Sequence, residues 1–292
     1  MKQAFLITAY KNFEALYELS SHLAKAAYVY VHVDKESREI GQEELAKLNS
    51  IPGCEAFSMY DIPWGGMNHV HAIVALLQKA LPNEDVSYLH VITGEDMPVV
   101  SMEELNARFL TDKHIYMDVI PQSEFTNAVM KRYRYHNYFQ NKNVKNPVLW
   151  QLQNLTVIVQ RLFGVKRDHI GAFKERQLYK GLVYVSMPKE AARYVISYCD
   201  AHGEFMEELA DCQIPEEFFF QTILMNAPFR EDVSEAPVRY LNWAKGEGGS
   251  PAYLDETDYD AIRNGGYAFA RKFGKGVSDK LKQMILGDIT ER

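Results

Sequence analysis

Apolar residues in the first 120 positions alternate between strand spacing and helix spacing. Runs rich in β-branched and aromatic residues predict five strands, at residues 4–10, 28–34, 56–60, 88–93 and 115–120. Helical spacing appears at Leu16, Leu19 and Leu23, and again over residues 70–81, where Asn68 is a candidate N-cap. This alternation predicts an α/β fold with a mostly parallel central sheet flanked by helices.

The second half of the chain is less regular. Residues 148–163 place their apolar side chains on one face of a helix, which we interpret as a packed core face; its basic flanks leave a peripheral membrane contact open. Further elements follow: a strand at 182–186, a helix at 188–201, a helix from Pro215 and a strand at 238–243. We find no internal repeat and no low-complexity linker, so residues 1–292 are interpreted as a single domain.

The charge of the chain is unevenly distributed. The formal net charge is −7, yet residues 131–180 contain eleven Lys and Arg against only Asp168 and Glu175, about +9. A basic surface on an acidic protein favours phosphates, an anionic acceptor or an anionic membrane, and the alternative is a solvated face without a partner.

Cysteine use and the start of the chain bear on its compartment. The three cysteines are far apart and form no CxxC pair, so a reducing environment is expected. The first apolar run covers only about seven residues, too few for a signal peptide or a membrane span. We therefore expect a cytoplasmic protein, with peripheral contact at the inner face of the membrane left open.

Familiar sequence signatures of phosphate and metal sites are missing or weak. There is no Walker A loop, GxGxxG, GxSxG or HExxH, and the nine histidines show no convincing ligand spacing. Asp258-Tyr-Asp260 matches the DxD triplet of metal-dependent transferases, but it begins a helical pattern, where Asp is a favoured cap. Asp34-Lys-Glu36 ends a strand and could hold a metal ion or a nucleoside.

A second acidic feature starts a helix. Pro215 is followed by Glu216 and Glu217, which places two carboxylates in a first turn, where the helix dipole favours them. The aromatic residues 218–220 would bury part of this turn, and a partly buried glutamate can act as a general base. Helix propensity alone does not choose between these two interpretations.

Basic residues also occur within an apolar frame near the end of the chain. Arg271 and Lys272 lie among the aromatic residues of segment 267–273. Together with Arg239 on the preceding predicted strand, they would bind a diphosphate well. Structural salt bridges are the competing explanation.

Five sequence blocks, in order, resemble those of the core-2/I-branching β-1,6-N-acetylglucosaminyltransferases and the related peptide O-xylosyltransferases, glycosyltransferase family 14. The blocks are His32-Val-Asp34-Lys, Trp64-Gly65 ahead of the helix containing Val70, Tyr88-Leu-His-Val-Ile-Thr-Gly94-Glu-Asp96-Met-Pro98, Pro215-Glu-Glu217-Phe-Phe, and Trp243 through Phe-Ala-Arg-Lys-Phe273. Their common order over residues 4–273 makes the resemblance specific.

The resemblance implies a nucleotide-diphospho-sugar transferase (GT-A) fold, inversion at the sugar and no divalent metal or other cofactor. Residues 1–120 would bind the nucleotide sugar, and residues 121–292 would hold the acceptor and the catalytic base. Glu217 would be that base. The residues implied for donor binding are Asp34 at the nucleoside, Arg239 and Lys272 at the diphosphate, and Arg271 and Asp96 beside them.

The expected acceptor side is formed by aromatic and basic residues, namely Tyr184, Trp64, Trp243, Lys131 and Arg134. The family's G-S-x-W element appears here as Gly181-Leu-Val-Tyr184, and Glu216 replaces the usual Asp, so the acceptor and the donor sugar stay open.

UDP-GlcNAc is the favoured donor and UDP-xylose the next. The acceptor would be a glycan or lipid-linked saccharide in bacterial polysaccharide synthesis, and no nucleic-acid partner is expected.

Two alternatives remain at this point. The chain could be a catalytically idle protein that binds a sugar or a nucleotide on the same fold. It could also be a metal-dependent transferase that uses Asp34 or Asp96 as a ligand.

Overall fold

The computed structural model describes residues 1–139, 142, 146–167, 176–234, 236–246 and 250–290. The strands of this part of the chain are β1 (Lys2–Ala9), β2 (Tyr28–Val33), β3 (Cys54–Phe57), β4 (Val86–Thr93), β5 (Asp96–Pro98), β6 (Ile115–Tyr116), β7 (Ile120–Pro121), β8 (Tyr179–Lys180), β9 (Ser186–Pro188), β10 (Val233–Ser234), β11 (Arg239–Leu241) and β12 (Phe269–Arg271). The helices are α1 (Phe13–Leu23), α2 (Gln42–Asn49), α3 (Asn68–Ala80), α4 (Met102–Phe109), α5 (Asn127–Arg134), α6 (Pro147–Leu162), α7 (Lys189–Ala201), α8 (Gly203–Ala210), α9 (Glu216–Met225), α10 (Tyr259–Asn264) and α11 (Asp279–Thr290).

The central sheet runs β10-β6-β9-β4-β1-β2-β3 through the described residues. β1 pairs in parallel with β2 and β4, β2 with β3, and β10 with β6, whereas β9 is antiparallel to both β4 and β6. The sheet is therefore mostly parallel, which confirms the predicted α/β architecture.

Helices cover both faces of this sheet. Phe5 and Ile7 of β1 pack in one apolar cluster with α1, α2 and α4, while Ala4 and Leu6 pack in the other with α3, α7 and α9. Successive side chains of a strand point to opposite faces, so a strand covered on both sides buries all of its side chains. Residues 3–9 of β1 are all buried; all are apolar except Gln3 and Thr8, which lie within hydrogen-bond distance of His90 and His69.

A smaller sheet joins the central sheet at its carboxyl edge. Its order is β11-β12-β5, with β11 and β12 parallel and β12 and β5 antiparallel. β5 begins three residues after β4 ends, so the small sheet starts where a doubly wound sheet binds ligands. The β12–β5 register places Arg271 opposite Asp96.

Most predicted elements are present, with two corrections among the strands. The helices predicted at 188–201 and from Pro215 are α7 and α9. The predicted strand 115–120 is divided between β6 in the central sheet and β7, which pairs with β8. Of the predicted strand 182–186, only Ser186 belongs to a strand, β9. The Val185 carbonyl oxygen still accepts from the Val91 amide of β4 at 2.8 Å, whereas the Leu182 carbonyl oxygen accepts from the Gln221 side chain of α9.

The predicted cap of α3 is also wrong. Asn68 is the first residue of the helix, and Met67 occupies the N-cap position. The Asn68 side chain instead donates from Nδ2 to the Asp61 carbonyl oxygen and to Asp61 Oδ1, at 2.9 and 3.0 Å. Asn68 therefore anchors the preceding loop.

Helix α6 contradicts the prediction of a packed apolar face. Its buried residues are Gln153, Val157 and Gln160, and the apolar side of the helix is exposed. Among the described helices, none has the length and apolar character needed to cross a bilayer.

A buried histidine connects β4 to its neighbours. His90 Nε2 lies 2.6 Å from Gln3 Oε1, which can only accept, so Nε2 carries the proton and Nδ1 accepts from the Ser186 hydroxyl at 2.8 Å. Burial lowers the pKa of His90 to about 3, and burial also lowers the pKa of His32 to about 4. Both imidazoles are therefore neutral in the fold at neutral pH.

These two histidines should make the fold acid-sensitive. In the unfolded chain each histidine binds a proton once the pH is below its ordinary pKa of about 6.5, whereas in the fold each stays neutral down to about pH 4. The free energy of unfolding therefore falls as the pH drops from about 6.5 towards 4. Each contributes a slope of up to about 1.4 kcal/mol per pH unit in this window. Urea unfolding of wild type and His90→Gln across pH 4–7 measures this slope. We expect it to be shallower in the variant by about one proton; equal slopes would contradict the assignment of His90.

Candidate active site

The carboxylate of Asp96 organises the junction of the two sheets and is fully buried. Its Oδ2 accepts from the Thr93 amide at 2.9 Å and from the Thr93 hydroxyl at 2.7 Å, and lies 3.1 Å from Arg271 Nη1. Its Oδ1 lies 2.8 Å from Arg239 Nε. Asp96 was predicted to bind the donor, and these contacts give it the role of holding two arginines.

The two arginines stack on one aromatic ring. Arg239 and Arg271 lie 4.4 and 4.9 Å from the centre of the Tyr184 ring. Burial raises the pKa of Tyr184 to about 12, so its phenol stays protonated. Burial lowers the pKa of Arg239, an effect that the Asp96 carboxylate opposes. Planar guanidinium groups on an aromatic face are held in fixed orientation.

A second carboxylate binds the neighbouring cations. Glu95 Oε1 lies 3.0 Å from Lys11 Nζ, and Glu95 Oε2 lies 3.6 Å from both Lys272 Nζ and Arg271 Nη2. Lys272 also lies over the ring of Tyr253, at 4.3 Å from its centre. The structural salt bridges considered from the sequence are therefore present.

We refer to six residues as the charge cluster: Lys11, Glu95, Asp96, Arg239, Arg271 and Lys272. Four cations against two carboxylates leave two positive charges in excess. The Arg239 Nη2 atom is buried and has no hydrogen-bond partner among the described residues. Buried donors are nearly always satisfied, so this atom suits an oxygen ligand.

Asp34 lies at the carboxyl end of β2, as predicted. Its Oδ1 accepts from the backbone amides of Glu36 and Ile62, each at 3.0 Å. These two bonds hold the loops after β2 and β3 around the carboxylate.

Glu217 lies in the first turn of α9 and is partly buried. Its Oε2 is bound by Arg132 Nη1 at 2.6 Å and by Lys180 Nζ at 3.0 Å. Arg132 belongs to α5 and Lys180 to β8, so three separate elements meet at this carboxylate. Both cations contact Oε2, and among the described residues no hydrogen bond reaches Oε1.

Residues 181–184 connect the Glu217 turn to the charge cluster. The Gly181 amide donates to the Glu217 carbonyl oxygen at 2.8 Å, and Gln221 Nε2 donates to the Leu182 carbonyl oxygen at 2.7 Å. Three residues after Gly181, Tyr184 stacks on the two arginines. Only glycine fits at the start of this segment, since a Cβ there would lie 1.9 Å from the Asp118 carbonyl oxygen.

A cavity of about 320 Å³ lies along this segment. Its lining includes Asp118, Leu182, Tyr184, Arg239 and Trp243. Aromatic, acidic and cationic groups thus share one cleft of the size that binds small ligands.

The other residues predicted for the acceptor side lie on two segments that contact the start of α9. Trp64 is exposed, and its neighbour Gly65 accepts from the Ile214 amide, ahead of α9. Lys131 is exposed and Arg134 half-buried, both on α5. The structure brings Tyr184 and Trp243 to the cavity and leaves Trp64, Lys131 and Arg134 outside its lining.

Sequence reasoning missed four charged residues: Arg132 and Lys180 at Glu217, and Lys11 and Glu95 in the charge cluster. The basic pattern of segment 131–180 contained the first two, but its spacing does not indicate which cation faces Glu217. Glu95 lies inside a block that the resemblance singled out, whereas no sequence signal marked Lys11.

The DxD triplet is structural at its first aspartate, as interpreted from the sequence. Asp258 is buried and accepts from Asn242 Nδ2 at 2.6 Å, from the Tyr240 hydroxyl at 3.1 Å and from the Asp255 amide at 3.0 Å. In the described part of the chain, no three His, Cys, Asp or Glu side chains are grouped as a metal site.

The family model described as Core-2/I-Branching enzyme matches residues 3–263. This match covers most of the chain, so the protein belongs to the core-2/I-branching enzyme family. The resemblance seen in the five sequence blocks is thereby confirmed.

The relatives of this chain include larger proteins. It is 20% identical to Xylosyltransferase sqv-6 of Caenorhabditis briggsae, over 76% of this chain and 26% of the relative. It is 24% identical to Xylosyltransferase 2 of Canis lupus familiaris, over 90% of this chain and 31% of the relative. The chain spans less than a third of the length of either relative.

A solved structure of the galactosyltransferase LgtC with donor and acceptor sugar analogs is also similar. It aligns with all of this chain and 94% of that one, at 12% identity and a TM-score of 0.41. That score is too low to establish a shared fold, so the architecture rests on the strand order described above.

Substituting Gly181 should damage the cleft. In Gly181→Ala the added methyl meets the Asp118 backbone, and overpacking of this kind costs roughly 1–3 kcal/mol or more. Gly203→Ala is the matched control: no atom lies within 4 Å of its Cβ position, and alanine favours the helix that begins there. Urea unfolding should show a loss of stability in Gly181→Ala and none in the control; equal stability of the two variants would contradict this packing.

Proposed function

We propose that this protein is an inverting glycosyltransferase that moves a sugar from a UDP-sugar to an acceptor hydroxyl, with Glu217 as general base and without a divalent metal. Membership of the core-2/I-branching family supports sugar transfer, and the five blocks support a GT-A fold. The observation that carries the proposal is an oriented carboxylate linked by four residues, 181–184, to a cationic cluster.

The charge cluster suits the diphosphate of the donor. Its excess of two positive charges equals the two negative charges on the diphosphate bridge of a nucleotide sugar. Phosphate oxygens would be bound by Arg271, by Lys272 and by Arg239, whose Nη2 has no partner in the described part of the chain. Asp96 would keep both arginines in position. Asp34, at the adjacent strand end, would contact the nucleoside.

Fixed cations support a mechanism without metal. As the bond between the anomeric carbon and UDP breaks, the electron pair goes to the diphosphate oxygen, and charge builds up there. Cations preorganised in a dry site stabilise developing charge without reorganisation. Arg239 and Lys272 would thus supply what Mg²⁺ or Mn²⁺ supplies in other transferases.

Glu217 would act on the opposite side of the sugar. The acceptor oxygen forms a bond to the anomeric carbon in line with the departing UDP, and its proton passes to Oε1 of Glu217. Arg132 and Lys180 hold the carboxylate during this transfer. General-base help of this kind is typically worth about 10²–10⁴ in rate.

The acceptor would bind along the cavity that contains Tyr184 and Trp243. Aromatic faces suit sugar rings, and the exposed Trp64 and the basic Lys131 and Arg134 would extend this side. A glycan or a lipid-linked saccharide would suit such an open cleft.

GlcNAc is the donor sugar we favour, from the core-2/I-branching resemblance, and xylose is the alternative, from the xylosyltransferase relatives. The alternative outside the enzymes is a protein that binds the nucleotide sugar but does not transfer it. Measurable turnover distinguishes the enzyme from this binding protein.

Glu217→Gln should abolish most turnover while leaving UDP bound. The amide keeps the shape of the side chain but cannot accept the proton, so UDP release from UDP-GlcNAc or UDP-xylose should fall by about 10²–10⁴. A coupled UDP assay measures the rate, and calorimetry measures UDP affinity.

Glu207→Gln, at an exposed position of α8, is the matched control and should turn over like wild type. Equal turnover in Glu217→Gln would contradict the general-base role. Absence of turnover in wild type with UDP tightly bound would favour the idle binding protein.

Lys272→Gln should weaken the binding of UDP but not of uridine. Losing one charged contact to the diphosphate should reduce UDP affinity roughly tenfold. Lys280→Gln, at an exposed lysine of α11, is the control.

All titrations are made in EDTA, in which wild type should bind UDP and turn over normally. Loss of wild-type turnover in EDTA would instead indicate a metal at Asp34 or Asp96.

A further inference from the structure

Helix α6 exposes the face that its sequence predicts to be buried. Five apolar residues recur at spacings of four and three, and we call them the α6 stripe: Val148, Leu152, Leu155, Val159 and Leu162. All five are exposed, with Leu155 at 56% and Leu162 at 80% of full accessibility. Surface helices normally bury such a stripe and expose the polar face.

The polar face of α6 is buried and fixed to the protein. Gln153 Nε2 and Gln160 Nε2 donate to the His136 carbonyl oxygen at 3.2 and 3.1 Å, and the His136 amide donates to Gln160 Oε1 at 2.8 Å. The His136 side chain is itself hydrogen-bonded through Nδ1 to the Asp211 carboxylate. These bonds hold the stripe outward, so its exposure is built into the fold.

The surroundings of the stripe are basic and aromatic. Residues 131–167 contain eight Lys and Arg and no acidic residue; two of the eight are engaged within the protein, Arg132 with Glu217 and the buried Arg167 with Asp211. Lys142 and Lys166, on either side of α6 in the chain, are exposed. Phe163, just after the last residue of the helix, is an exposed aromatic residue at the end of the stripe. Aromatic side chains at the ends of an apolar surface are typical of the membrane interface.

We propose that the α6 stripe docks this protein on an anionic lipid bilayer, with α6 lying in the plane of the interface. An apolar stripe with basic flanks inserts among acyl chains while the cations pair with anionic headgroups. The charge complementarity selects this occupant over a second copy of the chain, because a symmetric dimer would bring two basic surfaces together.

The size of the stripe agrees with this choice. A helix of 16 residues is about 24 Å long, so a stripe about 10 Å wide offers roughly 250 Å². A stable protein interface buries about 800 Å² on each partner. The stripe alone is too small to form a stable protein interface. A helix that lies in a membrane interface does not need any further protein surface in order to bind. Lipid binding by the α6 stripe does not depend on the transferase activity.

Flotation of the full chain with vesicles tests the proposal. Wild type should float with vesicles of equal parts phosphatidylcholine and phosphatidylglycerol, but not with phosphatidylcholine alone, and molar salt should release it because salt screens the charges. Leu152→Ser with Leu155→Ser should lower the partition coefficient by about 100-fold. Lys142→Gln with Lys166→Gln should lower it by about 25-fold, since each basic residue near an anionic surface contributes about fivefold.

Leu286→Ser on α11 is the matched control, because Leu286 and Leu152 are equally exposed at 42%. It should float like wild type. Melting curves of all variants check that they fold, and the lipid and salt comparisons on wild type need no variant. Failure of wild type to float with anionic vesicles, or flotation unchanged by the double leucine substitution, overturns the proposal. Sedimentation showing a wild-type dimer that this substitution dissociates, without flotation, assigns the stripe to a second copy.

Discussion

The carboxylate of Asp96 connects the two sheets of this protein. It is fully buried, receives two hydrogen bonds from Thr93 at the end of β4, and faces Arg239 of β11 and Arg271 of β12. A buried charge that loses its partner costs about 3–5 kcal/mol, so neither arginine can leave without a strong penalty. The small sheet is therefore tied to the carboxyl edge of the large one by charge as well as by backbone pairing.

This arrangement has a consequence for ligand binding. Because Asp96 neutralises only part of the arginine charge, and Glu95 only part of the lysine charge, the cluster keeps a positive excess at the end of the central sheet. The buried Nη2 of Arg239 directs that excess at a site without a protein acceptor among the described residues. An anion bound there would complete an already organised set of donors, which lowers the cost of reorganisation.

Glu217 belongs to a separate, equally constrained arrangement. Its ion pairs draw α5 and β8 to the start of α9, and Gly181 carries the chain from there to Tyr184 and the arginines. Helix α5 is followed by His136, on which α6 is anchored by Gln153 and Gln160. The proposed base and the proposed lipid-binding stripe are thus connected through a short, hydrogen-bonded part of the chain.

Local patterns in the sequence determined the class of the fold and indicated the candidate site residues. The alternation of strand spacing and helix spacing predicts the mostly parallel sheet, because the spacing fixes which side chains lie on the same face of each element and can be buried together. Four of the blocks contain the candidate residues Asp34, Asp96, Glu217, Arg271 and Lys272, and Arg239 lies just before the last block. Tertiary structure alone decided their partners: Arg132 faces Glu217 and Lys131 does not, and Lys11 reaches Glu95 from 84 positions away. It also decided the orientation of α6. Periodicity defines two faces of a helix, but the face that is buried depends on the groups that the rest of the fold places against it. Here the backbone of His136 forms hydrogen bonds with Gln153 and Gln160, so the face with these glutamines is buried.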